Sequence, residues 1–132
     1  MKISYLIDTD WVIDHLKGST KTTERINSHK SKGLAISIIT LAELYEGVYF
    51  SKDPQKSEQS LKIFLSEVAI LGIDEETSKI FAKERGRLRK EGNIIGDFDI
   101  LIAATALCND LILLTNNRKH YERIKDLSIE SL

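Results

Sequence analysis

The residues Gly96-Asp97-Phe98-Asp99-Ile100-Leu101-Ile102-Ala103-Ala104-Thr105-Ala106-Leu107, with Leu111-Ile112-Leu113-Leu114 close behind, decide the fold class. From Ile100 to Leu107 the first run is apolar nearly all round. A helix without a polar face has no place but the interior. The second run is short and apolar. It lies between Asn109-Asp110 and Thr115-Asn116-Asn117, the pattern of a buried strand. A buried helix feeding a buried strand is the repeating unit of an alternating α/β architecture.

The rest of the chain, read outward from there, repeats the alternation. Residues 3–7 form an apolar strand, and Trp11–Leu16 a short helix closed by Gly18. Thr22–Lys30 reads as a helix, Leu34–Ile39 after Gly33 as a strand, and Leu41–Phe50 as a helix. Asp53-Pro54 is an N-cap followed by proline at N1, so a helix runs over Pro54–Glu67 with Leu61, Phe64, Leu65 and Val68 on one side. Val68–Ile73 is a strand. Asp74 caps a helix reaching Lys90 with Thr77, Ile80, Phe81, Glu84 and Leu88 along one stripe. Gly96-Asp97 opens the buried helix, a further helix lies around Tyr121–Lys125, and a last strand spans residues 127–131. Short apolar strands between helices predict a three-layer α/β domain with a mostly parallel central sheet flanked by helices.

Bulk properties agree. The 132 residues suit one domain over 1–132, and 42% hydrophobic with 30% charged residues is a globular composition. The lone Cys108 excludes a disulfide framework or a Cys-rich zinc site within the chain. The apolar run Ile3–Ile7 stops at Asp8, too short for a secretion signal, and no run is long enough to span a bilayer. The expected location is cytoplasmic, with no membrane partner. A net charge of −1 excludes a strongly basic chain but not a local basic patch.

In a parallel sheet, ligands sit beyond the C-terminal strand ends. The first strand ends in Asp8-Thr9-Asp10, the second in Thr40 with Glu43 a turn later, and the late strand in Thr115-Asn116-Asn117; the buried helix begins with Asp97 and Asp99. Crowded carboxylates raise one another's pKa, and a divalent cation relieves that. Mg²⁺ prefers oxygen ligands and keeps several waters, so two or three carboxylates suit it. A bound metal can activate water and stabilise charge on a phosphate, which points to phosphodiester hydrolysis. Each residue has a structural alternative. Asp8 can be a turn acid, and Thr40-Leu41-Ala42-Glu43 fits a capping box. Asp97 can be the N-cap of the buried helix, Asp99 a first-turn acid matching the helix dipole, and Asn117 a turn residue.

Four segments carry a resemblance: Tyr5-Leu6-Ile7-Asp8-Thr9-Asp10-Trp11-Val12-Ile13, Ile39-Thr40-Leu41-Ala42-Glu43-Leu44-Tyr45-Glu46-Gly47, Ile95-Gly96-Asp97-Phe98-Asp99-Ile100-Leu101-Ile102-Ala103-Ala104, and Leu113-Leu114-Thr115-Asn116-Asn117-Arg118-Lys119-His120-Tyr121. In order and spacing they resemble the PIN-domain family, and within it the VapC toxins. The resemblance implies a Rossmann-like PIN domain and a Mg²⁺-dependent endoribonuclease in which Mn²⁺ can substitute. It implies catalytic, metal-binding carboxylates at Asp8, Glu43 and Asp99, with Asp97 left to a capping role. It also implies a VapB-like antitoxin partner, and a homodimer within a toxin–antitoxin hetero-oligomer. One departure stands out: the family often has a fourth acid where this chain has His120, so one firmly held metal is expected. Thr9, Thr115, Asn117 and His120 are expected to face the RNA substrate. Arg87 and Arg89, from the basic run Lys83–Lys90, are expected to contact phosphate, against the alternative of a solvated surface.

Three other readings compete. Asp8-Thr9-Asp10 after an apolar strand fits the opening motif of a haloacid-dehalogenase-like phosphatase with Asp8 as nucleophile, but no late Asp-Asp pair follows. A response-receiver module needs a different acid spacing and a late lysine. A non-catalytic PIN-like binding module keeps the fold without the chemistry.

Overall fold

The computed structural model describes residues 2–132. Five strands, β1 (Tyr5–Ile7), β2 (Leu34–Ser37), β3 (Ala69–Leu71), β4 (Ile112–Leu114) and β5 (Ile129–Glu130), form one sheet in the order β3-β2-β1-β4-β5. Every pairing is parallel, with Tyr5 opposite both Leu34 and Ile112. The helices are α1 (Thr9–Leu16), α2 (Thr20–His29), α3 (Ile38–Tyr49), α4 (Pro54–Leu65), α5 (Glu75–Lys90), α6 (Asp97–Cys108) and α7 (Arg118–Tyr121). The α/β architecture with a central sheet flanked by helices is the one expected from sequence, and the sheet is wholly parallel.

Strand alternation builds two cores. Tyr5 and Ile7 point to one face and pack with Trp11, Val12, Ile26, Leu44, Leu61 and Phe64. Leu6 points to the other and packs with Leu88, Ile100, Ala103, Ala106, Leu113 and Tyr121. The residues Ile100 and Ile102–Ala106 of α6 are all buried, as an all-apolar helix requires. Gly33 shows why glycine precedes β2. Its φ is +90°, and a Cβ there would collide with the backbone of Lys2.

Several boundaries differ from the sequence expectation, and two of them shape the site. Helix α1 starts at Thr9 rather than Trp11, capped by the Asp8 side chain. Helix α3 starts at Ile38, so Ile38 and Ile39 are helical rather than strand. Ser37 Oγ accepts from the Ile39 N–H (3.0 Å) and turns the chain at once, overriding the β preference of two isoleucines. Helix α7 covers Arg118–Tyr121, earlier than the 121–125 expected, and β5 is shorter than 127–131.

Candidate active site at the C-terminal edge of the sheet

Asp8 follows the central strand directly. Its backbone N–H donates to Leu114 O (2.9 Å), extending the β1–β4 ladder by one rung. The residue is 4% exposed. Oδ1 accepts from the Thr9 N–H (2.9 Å) and Oδ2 from the Thr115 hydroxyl (2.7 Å). Burial, and then the charge of Asp10, push the Asp8 carboxyl up to about 7; the bonds from Thr115 and Thr9 oppose this, and Asp99 adds to it. Asp10 is also raised, chiefly by burial, although it accepts from the N–H groups of Asn116 (3.0 Å) and Trp11 (2.8 Å).

Glu43 and Asp99 reach the same place from two helices. Glu43 Oε1 accepts from the Thr9 hydroxyl (2.7 Å), which also lies 3.1 Å from Thr40 Oγ1. The capping-box reading of Thr40 and Glu43 therefore fails. Thr40 is inside α3 and buried, Ser37 is the cap, and Glu43 points across to α1. Asp99, in the first turn of α6, meets α7: Oδ2 lies 3.0 Å from His120 Nδ1 and Oδ1 lies 3.3 Å from the Tyr121 hydroxyl. The same hydroxyl is 3.3 Å from Asp8 Oδ1.

Asp97 takes a role other than the expected cap. Gly96 is the N-cap of α6, with no side-chain capping bond, and Asp97 is the first helical residue. Its carboxylate binds Arg85 Nε (2.7 Å) on α5, and that guanidinium holds it below the usual range. From the first helical position a carboxylate turns outward along the helix flank, where Arg85 meets it.

Asp8, Thr9, Asp10, Ile13, Glu43, Asp99, Asn116 and Asn117 line one cleft of about 470 Å³. No lysine or arginine is among its lining residues. Asn117 donates its backbone N–H to Thr115 Oγ1 (3.0 Å), and its side-chain amide lies 3.0 Å from His120 Nδ1. The hydroxyls of Thr9 and Thr115, expected to face substrate, are instead committed to Glu43 and Asp8.

The basic run divides. Arg87, expected at a phosphate, is held by Glu84 (2.9 Å), Glu91 (2.9 Å) and the Arg123 carbonyl (2.8 Å), so its donors serve the fold. Arg89 lines a second pocket of about 260 Å³ with Arg85, Asn93 and Asp97.

Two residues of the cluster escaped the sequence reading. From sequence Tyr121 reads as a plain helix residue; its ring is buried, and only the fold shows its hydroxyl between two acids. Asn116 accepts from Trp11 Nε1 (3.1 Å) and the Leu132 N–H (2.9 Å) while its own N–H holds Asp10.

Comparison with known proteins fits this geometry. The PIN domain family model matches residues 5–127. A protein named Ribonuclease VapC2 from Haemophilus influenzae is 35% identical over 130 residues, 98% of each chain. One named Ribonuclease VapC1 from Methanocaldococcus jannaschii is 38% identical over 125 residues, covering 95% of this chain and 84% of that protein. The crystal structure of VapBC2 from Rickettsia felis, bound to a DNA fragment from their promoter, superposes with a TM-score of 0.93 at 31% identity over 98% and 99% of the two chains. A sheet-edge carboxylate cleft on a parallel α/β scaffold defines the class, and the chain belongs to the PIN-domain family, in its VapC ribonuclease branch. The phosphatase reading falls here, since the PIN domain model and the relatives named Ribonuclease VapC match nearly the whole chain, and no late Asp-Asp pair follows Asp8-Thr9-Asp10.

Proposed function

We propose that the chain is a divalent-metal-dependent endoribonuclease, the toxin of a toxin–antitoxin pair. The observation that carries this reading is the cleft itself. Four carboxylates, of Asp8, Asp10, Glu43 and Asp99, line it without a cationic side chain among them.

The donor set suits a hard cation. Carboxylate oxygens match Mg²⁺ or Mn²⁺ rather than a soft metal. Among the described residues no three His, Cys, Asp or Glu side chains stand as a ready-made cage. The assembled part is the Asp8–Asp99 pair around the Tyr121 hydroxyl, with Glu43 tied to Thr9. Asp8 and Asp99 would hold the ion, with Glu43 acting directly or through water. When bound, the metal supplies an activated water and charge stabilisation at the phosphate.

The chain's own residues do the rest. The Thr115 hydroxyl and the Thr9 N–H fix the Asp8 carboxylate, and the Thr9 hydroxyl fixes Glu43. Asn117, on the cleft wall, offers a neutral amide to an RNA backbone. His120 is half-exposed at the rim and can donate to a phosphate oxygen. Such an enzyme acts on cellular RNA in the cytoplasm. No described helix is long and apolar enough to cross a membrane.

A partner site follows in the same reading. A groove of about 400 Å³ lined by Ile13, Leu16, Leu44 and Val48 adjoins the cleft, and Glu43 lines both. A VapB-like antitoxin segment seated there would reach the carboxylates, and a homodimer of toxins within the hetero-oligomer completes the assembly.

The test is to express the chain and its Asp8→Asn variant, then map 5′ ends of cellular RNA and repeat the cleavage with purified protein in Mn²⁺ and in chelator. Discrete cuts that need both Asp8 and metal are expected. Cuts that persist in the Asp8→Asn protein or in chelator overturn the reading, and a non-catalytic binding module would give no cuts at all.

A further inference from the structure

Two neighbours in sequence, His120 and Tyr121 on α7, close on one carboxylate. His120 Nδ1 sits 3.0 Å from Asp99 Oδ2, and the Tyr121 hydroxyl sits 3.3 Å from Asp99 Oδ1. The hydroxyl lies equally far, 3.3 Å, from Asp8 Oδ1. We propose that Tyr121, assisted by His120, is a positioning residue that orients the Asp8 and Asp99 carboxylates toward each other so that they accept a divalent cation as a pair. The inference rests on the metal-dependent reading above and adds a residue that the reading does not contain.

The packing explains why a hydroxyl is informative here. The Tyr121 ring is fully buried among Leu88, Ile100, Ala103 and Leu113, a setting that phenylalanine would fill as well. Burying the extra oxygen costs desolvation unless it finds partners. The partners it finds are two acids, 113 and 22 residues away in the chain. One phenolic proton cannot serve both at once, and both contacts are long for an O–H···O bond. The hydroxyl therefore stands between the carboxylates instead of belonging to either.

The two acids depend on it unequally. Asp8 is held independently by the Thr115 hydroxyl and the Thr9 N–H. Asp99 has only α7: remove the Tyr121 hydroxyl and its remaining side-chain contact is an imidazole that is half in solvent. Loss of the hydroxyl should free Asp99 to turn away while Asp8 stays in place. Outer partners that orient metal ligands are typically worth about 10–100-fold in metal affinity.

The experiment is calorimetric titration of metal-stripped protein with Mn²⁺, wild type against Tyr121→Phe, together with thermal unfolding of both in chelator. The expected result is an affinity for Mn²⁺ lower by about 10-fold or more, with the chelated variant melting near the wild type. A purely structural role would lower the melting temperature in chelator and leave the Mn²⁺ affinity unchanged, and unchanged affinity overturns the proposal. If Tyr121→Phe does not fold, His120→Ala decides, because it removes a surface contact to the same Asp99. Weaker Mn²⁺ binding then supports the α7 clamp, and equal binding overturns it. Wild-type protein that binds no Mn²⁺ at all overturns the metal reading itself, whereas equal affinities in wild type and variant overturn the positioning role alone.

Discussion

Two groups of acids in this molecule meet opposite fates. On α5, Glu84 accepts from Arg87 twice (2.9 and 3.1 Å) and from the Lys125 N–H (3.1 Å), and Asp97 at the start of α6 is paired with Arg85. Those partners hold the Glu84 and Asp97 carboxyls below their ordinary values. At the sheet edge, Asp8 and Asp10 are shut away with each other, and both are raised. The same functional group is thus stabilised as an anion in one region and penalised in the other. Acids beside an arginine need no other charge. Buried acids without a cationic partner persist where something outside the chain supplies the charge, and a bound cation would do so.

Removing the cleft acids should give the largest effect. On the proposed metal-dependent reading, Asp8→Asn or Asp99→Asn should abolish RNA cleavage and also the rise in melting temperature expected of the wild type in Mn²⁺. That rise corresponds to about 2.7 kcal/mol when the metal is at about 100 times its dissociation constant. Differential scanning fluorimetry with and without chelator reads it. A full Mn²⁺ shift in Asp8→Asn would erase the contrast between the two regions.

The second effect is in the pH dependence of the chelated protein. Asp8 has a folded pKa of about 7 against 3.8 for the free group. The folded state therefore holds the proton more tightly, and this contribution to stability is present at low pH and lost as pH rises from about 4 to about 7. The upper bound is about 4 kcal/mol, at about 1.4 kcal/mol per unit. Glu84 and Asp97 behave in the reverse sense: being lowered, they contribute stability that disappears only as pH falls below the ordinary carboxylate range. Urea unfolding in chelator should show stability falling between about pH 4 and about 7 in wild type and falling less in Asp8→Asn, where the raised Asp10 remains. A level wild-type profile would mean that burial of Asp8 carries no penalty.

A smaller effect belongs to Arg87. It bridges Glu84 and Glu91 and donates to Arg123 O just after α7. Exposed ion pairs are each worth about 0.2–1 kcal/mol, so Arg87→Ala should cost about 1 kcal/mol of stability. Cleavage by the folded fraction should be unchanged. Lost cleavage at full stability would return Arg87 to the RNA-binding surface.

How far the sequence revealed this contrast depended on what each residue touches. The strand ends placed Asp8, Glu43 and Asp99 at one edge because parallel topology dictates where strand ends meet. The buried α6 was legible because no face of it is polar. Ser37 was not read as a cap, since Ile38-Ile39 looks like strand and only the turn chemistry of one serine overrides that. Asp97 and Asp99 have nearly the same local sequence context. Their separation into a surface ion pair and a cleft acid is decided by Arg85 and His120, which lie 12 and 21 residues away. Tyr121 was invisible for the same reason: an aromatic in a short helix says core, and the target of its hydroxyl is set by tertiary packing.

Arg89 offers the finest test of the boundary between the two regions. It belongs to the same basic run as Arg87, but it lines the pocket between the end of α5 and the start of α6, beside Asp97 and Asn93. That pocket adjoins the first turn of the helix that carries Asp99. If this flank guides RNA, Arg89→Ala should weaken RNA binding by the loss of one phosphate contact and flatten the slope of log affinity against log salt by about 0.7, the value for a single strand. Melting temperature and Mn²⁺ affinity should stay at the wild-type level, because Arg89 touches neither the carboxylates nor the Glu84–Arg87–Glu91 network. Fluorescence-anisotropy titration of a labelled single-stranded RNA with the non-cleaving Asp8→Asn protein, with and without Arg89→Ala, over a range of salt concentrations, measures this directly. An unchanged slope would place the whole of the basic run with the surface ion pairs and leave the neutral amides of Asn116 and Asn117, with His120, as the cleft's contacts to the RNA backbone.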